Sequence, residues 1–371
     1  MTVSSRVIVL AAGMLVTAVA HGQVPGPTAA VGRTDAGQAD LRGATEAAMA
    51  EAIGKGEFDR AHKILQGART RGLSLGLYHL LAAKLCAAQR DHSGEEEHLK
   101  GAIYREPELT EAHLRLAAIM ERRGLWLDAA ELYTRALEAD GELAEAYLEL
   151  ARIFREHDRH RTAIETLERG KQALPGDTGI LMALGGVCRE VGEREAALAQ
   201  YETAAGLAEG PRRLECLVHV GDLNLEGGHL PAAFVAYQTA AREGLEPTGD
   251  EYGRIAGTSD ALAWATLQSA WATLEAYLAG KPEMPEREEV YVAVSRGLSQ
   301  MREFMAVMDR LRPPADLAGR HSQRKFHYSL LCEALTNGLS YLDTGDRQMI
   351  EAGRARCQDA AMTRVALSGP S

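Results

Sequence analysis

The chain has 371 residues, 46% hydrophobic and 25% charged, an ordinary balance for a folded protein that excludes wholesale disorder. Aromatic residues make up only 5%, while Ala, Leu, Glu and Arg abound, which favours helices over strands. The formal net charge of −11 argues against nucleic acid as the main partner, because phosphate neutralisation needs a concentrated basic face.

Met1–Arg6 is a short start with one cation, followed by the uncharged apolar run Val7–Ala20, which ends in Ala18-Val19-Ala20. This order predicts a secretory signal over 1–20, cut before His21. The run's 14 residues are short for a bilayer span, which needs roughly 20. An uncleaved N-terminal anchor is the alternative, and both readings place the body of the protein outside the cytoplasm, in the periplasm or the extracellular space. Residues 21–41 contain Pro25, Pro27 and four glycines without apolar periodicity, and they predict a flexible linker.

From residue 42 a pattern recurs every 34 residues. Leu116-Ala117, Leu150-Ala151 and Leu184-Gly185 are in register, with Ala83 and Met49 upstream and Gly221 downstream after two extra residues. A second small column runs Ala61, Ala129, Ala163, Ala197 and Ala233, interrupted by Glu95, and a third runs Ala68, Ala102, Ala136, Gly170, Ala204 and Ala240. Between them stand Leu65, Leu99, Tyr133, Leu167, Tyr201 and Tyr237, and Gly56, Gly124, Asp158, Gly192 and Gly228 mark turns. Each unit therefore predicts two antiparallel helices joined by a short turn. Small residues let the backbones approach, the larger residue fills the space beside them, and one pair cannot bury its face without a neighbour.

The stretch Thr110–Gly141, TEAHLRLAAIMERRGLWLDAAELYTRALEADG, resembles the tetratricopeptide repeat family, and the following unit repeats its motif. The resemblance implies an all-α fold: a superhelix of six helix-turn-helix repeats at 42–75, 76–109, 110–143, 144–177, 178–211 and 214–247, then a small helical bundle over 248–371. It also implies that the first helix of each repeat lines a concave groove. One position on those helices carries Glu46, Leu80, Leu114, Leu148, Met182 and Val218, an almost wholly apolar spine. Lys84, Arg152, Arg155 and Arg189 stand nearby, interleaved with Glu111, Glu145 and Glu215. The paired Lys and Asn residues with which some family members grip a peptide carboxylate are missing. The expected partner is a protein or peptide with apolar anchors, bound at Leu80, Lys84, Leu114, Leu148, Arg152, Arg155, Met182, Arg189 and Val218. Self-association through the open ends of the array is a further expectation.

Beyond 247 the period is lost. Helical patterns run at about 258–279, 285–311, 315–343 and 345–366, punctuated by Pro282 and Pro285, Pro313-Pro314 and Gly345. Trp264, Leu267, Trp271, Leu274 and Leu278 form one stripe, the mark of a buried helix face rather than of a membrane span. This part carries 14 Lys and Arg against 16 Asp and Glu, so the repeats hold most of the negative charge. The five cysteines include no CxxC pair. Cys332 and Cys357 lie almost symmetrically about the turn near Thr344-Gly345 and are the candidate disulfide. No nucleophile, metal-ligand or phosphate-cradling motif stands out. The expectation is a non-catalytic interaction scaffold without cofactor or metal; a ligand-binding or enzymatic C-terminal bundle is the alternative.

Overall fold

The computed structural model describes residues 35–280 and 285–368; the expected export signal and most of the expected linker lie outside them. The described residues are all-α, with sixteen α-helices and one 3₁₀ turn, Ala315–Leu317. They form two compact units that meet in sequence at Glu106 and Pro107.

The first unit contains α1 (Asp35–Gly54), α2 (Phe58–Thr70), α3 (Leu75–Ala88) and α4 (His92–Arg105). α1 packs on α2, α3 on α4, and the pairs touch through α2 with α3 and α1 with α3. α1 begins at Asp35, so the last seven residues expected as linker are helical. Leu41, Thr45, Met49 and Ala52 form a buried stripe that pulls the helix onto the unit. Gln38 then fixes its first turn: its amide donates to the Gly72 carbonyl at 2.9 Å and accepts from the Ser74 N–H at 3.1 Å.

The second unit opens with four more pairs. They are α5 (Thr110–Arg122) with α6 (Trp126–Ala139), α7 (Ala144–Glu156) with α8 (His160–Ala173), α9 (Thr178–Glu190) with α10 (Arg194–Leu207), and α11 (Gly210–Glu226) with α12 (Leu230–Arg242). The 34-residue columns are where the pairs meet: Ala129, Ala136, Ala163, Ala197, Ala204, Ala233 and Ala240 are buried, as are Tyr133, Leu167, Tyr201 and Tyr237. Close approach explains the smallest side chains. A Cβ on Gly185 would stand 2.9 Å from Tyr201, and one on Gly221 would stand 2.3 Å from Tyr237. This is a helical-repeat architecture of stacked helix pairs, followed by a helical C-terminal region.

That region holds α13 (Gly249–Leu278), α14 (Arg287–Arg310), α15 (Ala318–Thr344) and α16 (Arg347–Ser368). α13 starts nine residues before the expected 258, because Thr248 and Glu251 form a capping box there. It packs against α11 and α12, and Arg254 reaches back to the buried Asp222 at 2.7 Å. Its apolar stripe faces inward: Leu267 and Leu274 are buried, and Trp264, Trp271 and Leu278 are half-buried against the same core. Asp260 of α13 accepts from Arg324 (2.9 Å) and Tyr328 (2.6 Å) of α15, tying the layers together. None of the described helices is long and apolar enough to cross a membrane.

Candidate partner-binding face

The first helices of successive pairs carry the spine residues, and packing treats them unequally. In the first unit Leu80 is fully buried, and Lys84 donates to Glu46 at 2.7 Å, bridging α3 and α1. In the second unit Leu114, Leu148 and Met182 are half-buried, while Val218 is buried in the core that α13 closes. Leu80 and Val218 are therefore packed core residues and offer no contact surface. Val218 lies in the core that α13 closes, whereas Leu114, Leu148 and Met182 keep an open side. Leu148 leans toward α9, so that a Cβ on Gly179 would meet its Cδ1 at 3.6 Å.

The cations expected to receive acidic groups already have carboxylates. Arg152 donates to Glu121 of α5 and, within α7, to Glu149 at 2.7 Å and Glu156 at 2.9 Å. Burial opposes its charge, but the hydrogen bonds it donates to Glu156, Glu121 and Glu149 outweigh it and hold the guanidinium above its ordinary pKa. Arg189 pairs with Glu226 of α11, and Arg155 lies 3.9 Å from Glu190 of α9. These contacts link first helices of neighbouring pairs, 31 to 37 residues apart. Glu145 and Glu215 remain exposed on the same helices. The face thus offers three apolar steps with carboxylates between them and its arginines internally neutralised.

Beside Val218 stands His219, whose ring lies 4.6 Å from that of Tyr201. Its Nδ1 is buried and has no hydrogen-bond partner among the described residues, and burial keeps its pKa below the ordinary value. No periodic signal marks it: the equivalent positions hold Arg115, Glu149 and Ala183, so nothing recurs there.

Cys332 and Cys357, the candidate disulfide pair, are both free thiols in this structure. The charged neighbour that distinguishes Cys332 is Arg302 of α14, whereas that of Cys357 is Glu275 of α13. Burial pushes the Cys357 thiol up to about 11, which keeps it protonated.

No group of three or more His, Cys, Asp or Glu able to hold a metal occurs among the described residues. The cleft of about 320 Å³ between α13 and α14 is lined by Leu262, Ala265, Ala270, Ala293 and Gly297 together with Thr266, Ser269, Gln300 and one charged residue, Arg296.

No family model matches the chain, and no curated protein matches it. Solved structures are similar over part of it. One crystal structure of MamA is 21% identical, covering 46% of this chain and 91% of its own, with a TM-score of 0.40. PilF of Pseudomonas aeruginosa is 14% identical, covering 58% and 97%, with a TM-score of 0.43. YrrB, described as a TPR protein with an unusual peptide-binding site, is 14% identical, covering 45% and 86%, with a TM-score of 0.38.

Proposed function

We propose that this chain is an exported, non-catalytic interaction scaffold built on six tetratricopeptide repeats, two in the first unit and four in the second. A protein or peptide partner docks on the first helices of the second unit, with Leu114, Leu148 and Met182 as its apolar contacts. The observation that carries this reading is that these three equivalent positions, 34 residues apart, remain partly open while their flanking columns are buried. Each well-buried anchor contributes about 1.5–3 kcal/mol, so two or three sustain a micromolar complex after association costs. Arg152, Arg155 and Arg189 serve the scaffold rather than the ligand, because each already faces a carboxylate. The signal-like run Val7–Ala20 supports export, and N-terminal sequencing of the mature chain tests it: a chain starting at His21 is expected.

A photo-crosslinker at exposed Glu145 tests the docking face in cells. It is expected to capture a defined partner, and the double variant Leu114→Glu, Leu148→Glu is expected to abolish that capture without changing the circular dichroism. Equal capture by the folded double variant refutes the docking face.

A further inference from the structure

We propose that the turn between α5 and α6 is a docking tip for an anionic lipid surface. Arg122, Arg123, Gly124, Leu125, Trp126 and Leu127 follow one another there. Leu125 is 45% exposed and Leu127 63%. The Trp126 ring between them is half-buried and stacks on His157 of the next turn, with centroids 4.3 Å apart. Arg122 and Arg123 are exposed. Single exposed leucines are ordinary on a folded protein, whereas apolar side chains gathered at one turn mark a contact.

The helix pairs themselves do not call for this chemistry. The equivalents of Leu125 in the other five pairs are Glu57, Asp91, Arg159, Glu193 and His229, and those of Leu127 are Asp59, Ser93, Arg161, Glu195 and Pro231. Charge is reversed as well: Arg122 stands where the next three pairs carry Glu156, Glu190 and Glu226. The backbone of the turn is nevertheless ordinary for the array. Gly124 has φ +74°, close to the values at Gly56, Gly192 and Gly228, and the Leu125 N–H donates to the Met120 carbonyl at 2.9 Å. The two leucines and the arginine are therefore surplus to folding, on a turn that its own hydrogen bonds hold in place.

An indole flanked by leucines and arginines suits the boundary between acyl chains and headgroups. Tryptophan sets its apolar body against the chains and its N–H among the headgroups, while guanidinium groups pair with phosphates. The exposed carboxylates at hand are Asp128, one residue beyond Leu127, and Asp158 in the next turn, where Arg159 stands beside it. Glu121 and Glu156 are already engaged by Arg152. The tip thus presents cations on a chain whose net charge is −11, and an anionic surface adds an attraction that salt weakens. Two leucines and one partly open indole give shallow, reversible seating rather than insertion of a helix. Leu114 lies near the opposite end of α5, so the tip and the partner-docking face are separate surfaces of the same unit.

The test uses the chain from His21 onward, so that the apolar run Val7–Ala20 cannot itself enter a bilayer. It is sedimented with vesicles of phosphatidylcholine alone and of phosphatidylcholine with phosphatidylglycerol. The expected result is binding to the second kind, weakened by salt, with quenching of Trp126 fluorescence by brominated acyl chains. Trp126→Phe should abolish that quenching, because Trp264 and Trp271 pack against the C-terminal core. Leu125→Ser combined with Leu127→Ser should weaken vesicle binding about tenfold or more. Arg122→Glu should remove most of the preference for anionic vesicles, and Leu207→Ser, which changes an exposed leucine elsewhere, should behave as wild type. Circular dichroism checks that each variant is folded. Vesicle binding retained by the folded leucine double variant overturns the proposal, as does wild-type protein that binds both kinds of vesicle equally or binds neither.

Discussion

Arg90 sits at the centre of the turn between α3 and α4 with φ +62°, where the other turns of the array place Gly56, Gly124, Asp158, Gly192 and Gly228. A left-handed backbone costs a side chain with a Cβ roughly 1–2 kcal/mol, and an arginine has no local hydrogen bond to offset it as an aspartate has. Arg90→Gly is therefore expected to stabilise the protein by about 1 kcal/mol, read as a higher urea midpoint. The 34-residue spacing put a turn there, but the arginine masked its backbone conformation. His327 carries the second prediction. It is fully buried in α15 beside the Ala360 backbone of α16, and neither ring nitrogen makes a hydrogen bond of good geometry among the described residues. Burial sets its folded pKa below the ordinary value; around it lie Asp260 of α13, Arg364 of α16 and Arg324 of its own helix. A lowered folded pKa means that the unfolded chain binds more protons at mildly acid pH. Stability is thus full above the unfolded value of about 6.5 and falls as pH drops below it. Melting curves at pH 7.5 and 5.5 should show the loss, and His327→Phe should shrink it.

At the scale of the helix, glycine positions report how closely backbones meet. Gly221 of α11 lies under the ring of Tyr237, whose hydroxyl donates to Asp222 at 2.6 Å. Gly221→Val would force that ring aside, breaking the hydrogen bond and the packing of α12; a cost of about 1–3 kcal/mol is expected in denaturant melts. The Asp260 cluster is the polar counterpart. Arg324 and Tyr328 both donate to one carboxylate, with little solvent around the pair. Removing the acceptor leaves a largely buried cation, so Asp260→Ala should cost about 3 kcal/mol and loosen α15 from α13, seen as faster amide exchange in α15. The small columns that place Gly221 were legible as a period. The Asp260 cluster was not, since its members lie 64 and 68 residues apart with no recurring spacing.

Within the second unit, α13 closes the array of helix pairs. Phe234 of α12 meets Phe304 of α14 edge-on at 4.7 Å, and Arg254 neutralises the buried Asp222. A chain truncated after residue 247 would expose Phe234 together with the buried side of α11 and leave Asp222 without its arginine, Arg254. Its melting temperature should fall, and light scattering should show more self-association than the full chain shows at the same concentration. The candidate docking face was legible in the same partial way. Residue type and register singled out Leu114, Leu148 and Met182, but also Leu80 and Val218, which packing removes from the surface.

By its sequence alone this protein is determined to be helical, paired and periodic, because helix propensity, turn residues and the 34-residue spacing of small side chains are local properties repeated along the chain. Which apolar residues stay open, which arginines are already spent on carboxylates, and which distant rings touch were decided only by the tertiary structure. Those facts depend on what stands across a gap between helices, and a sequence period is blind to it wherever neighbouring repeats carry different residues at the same place.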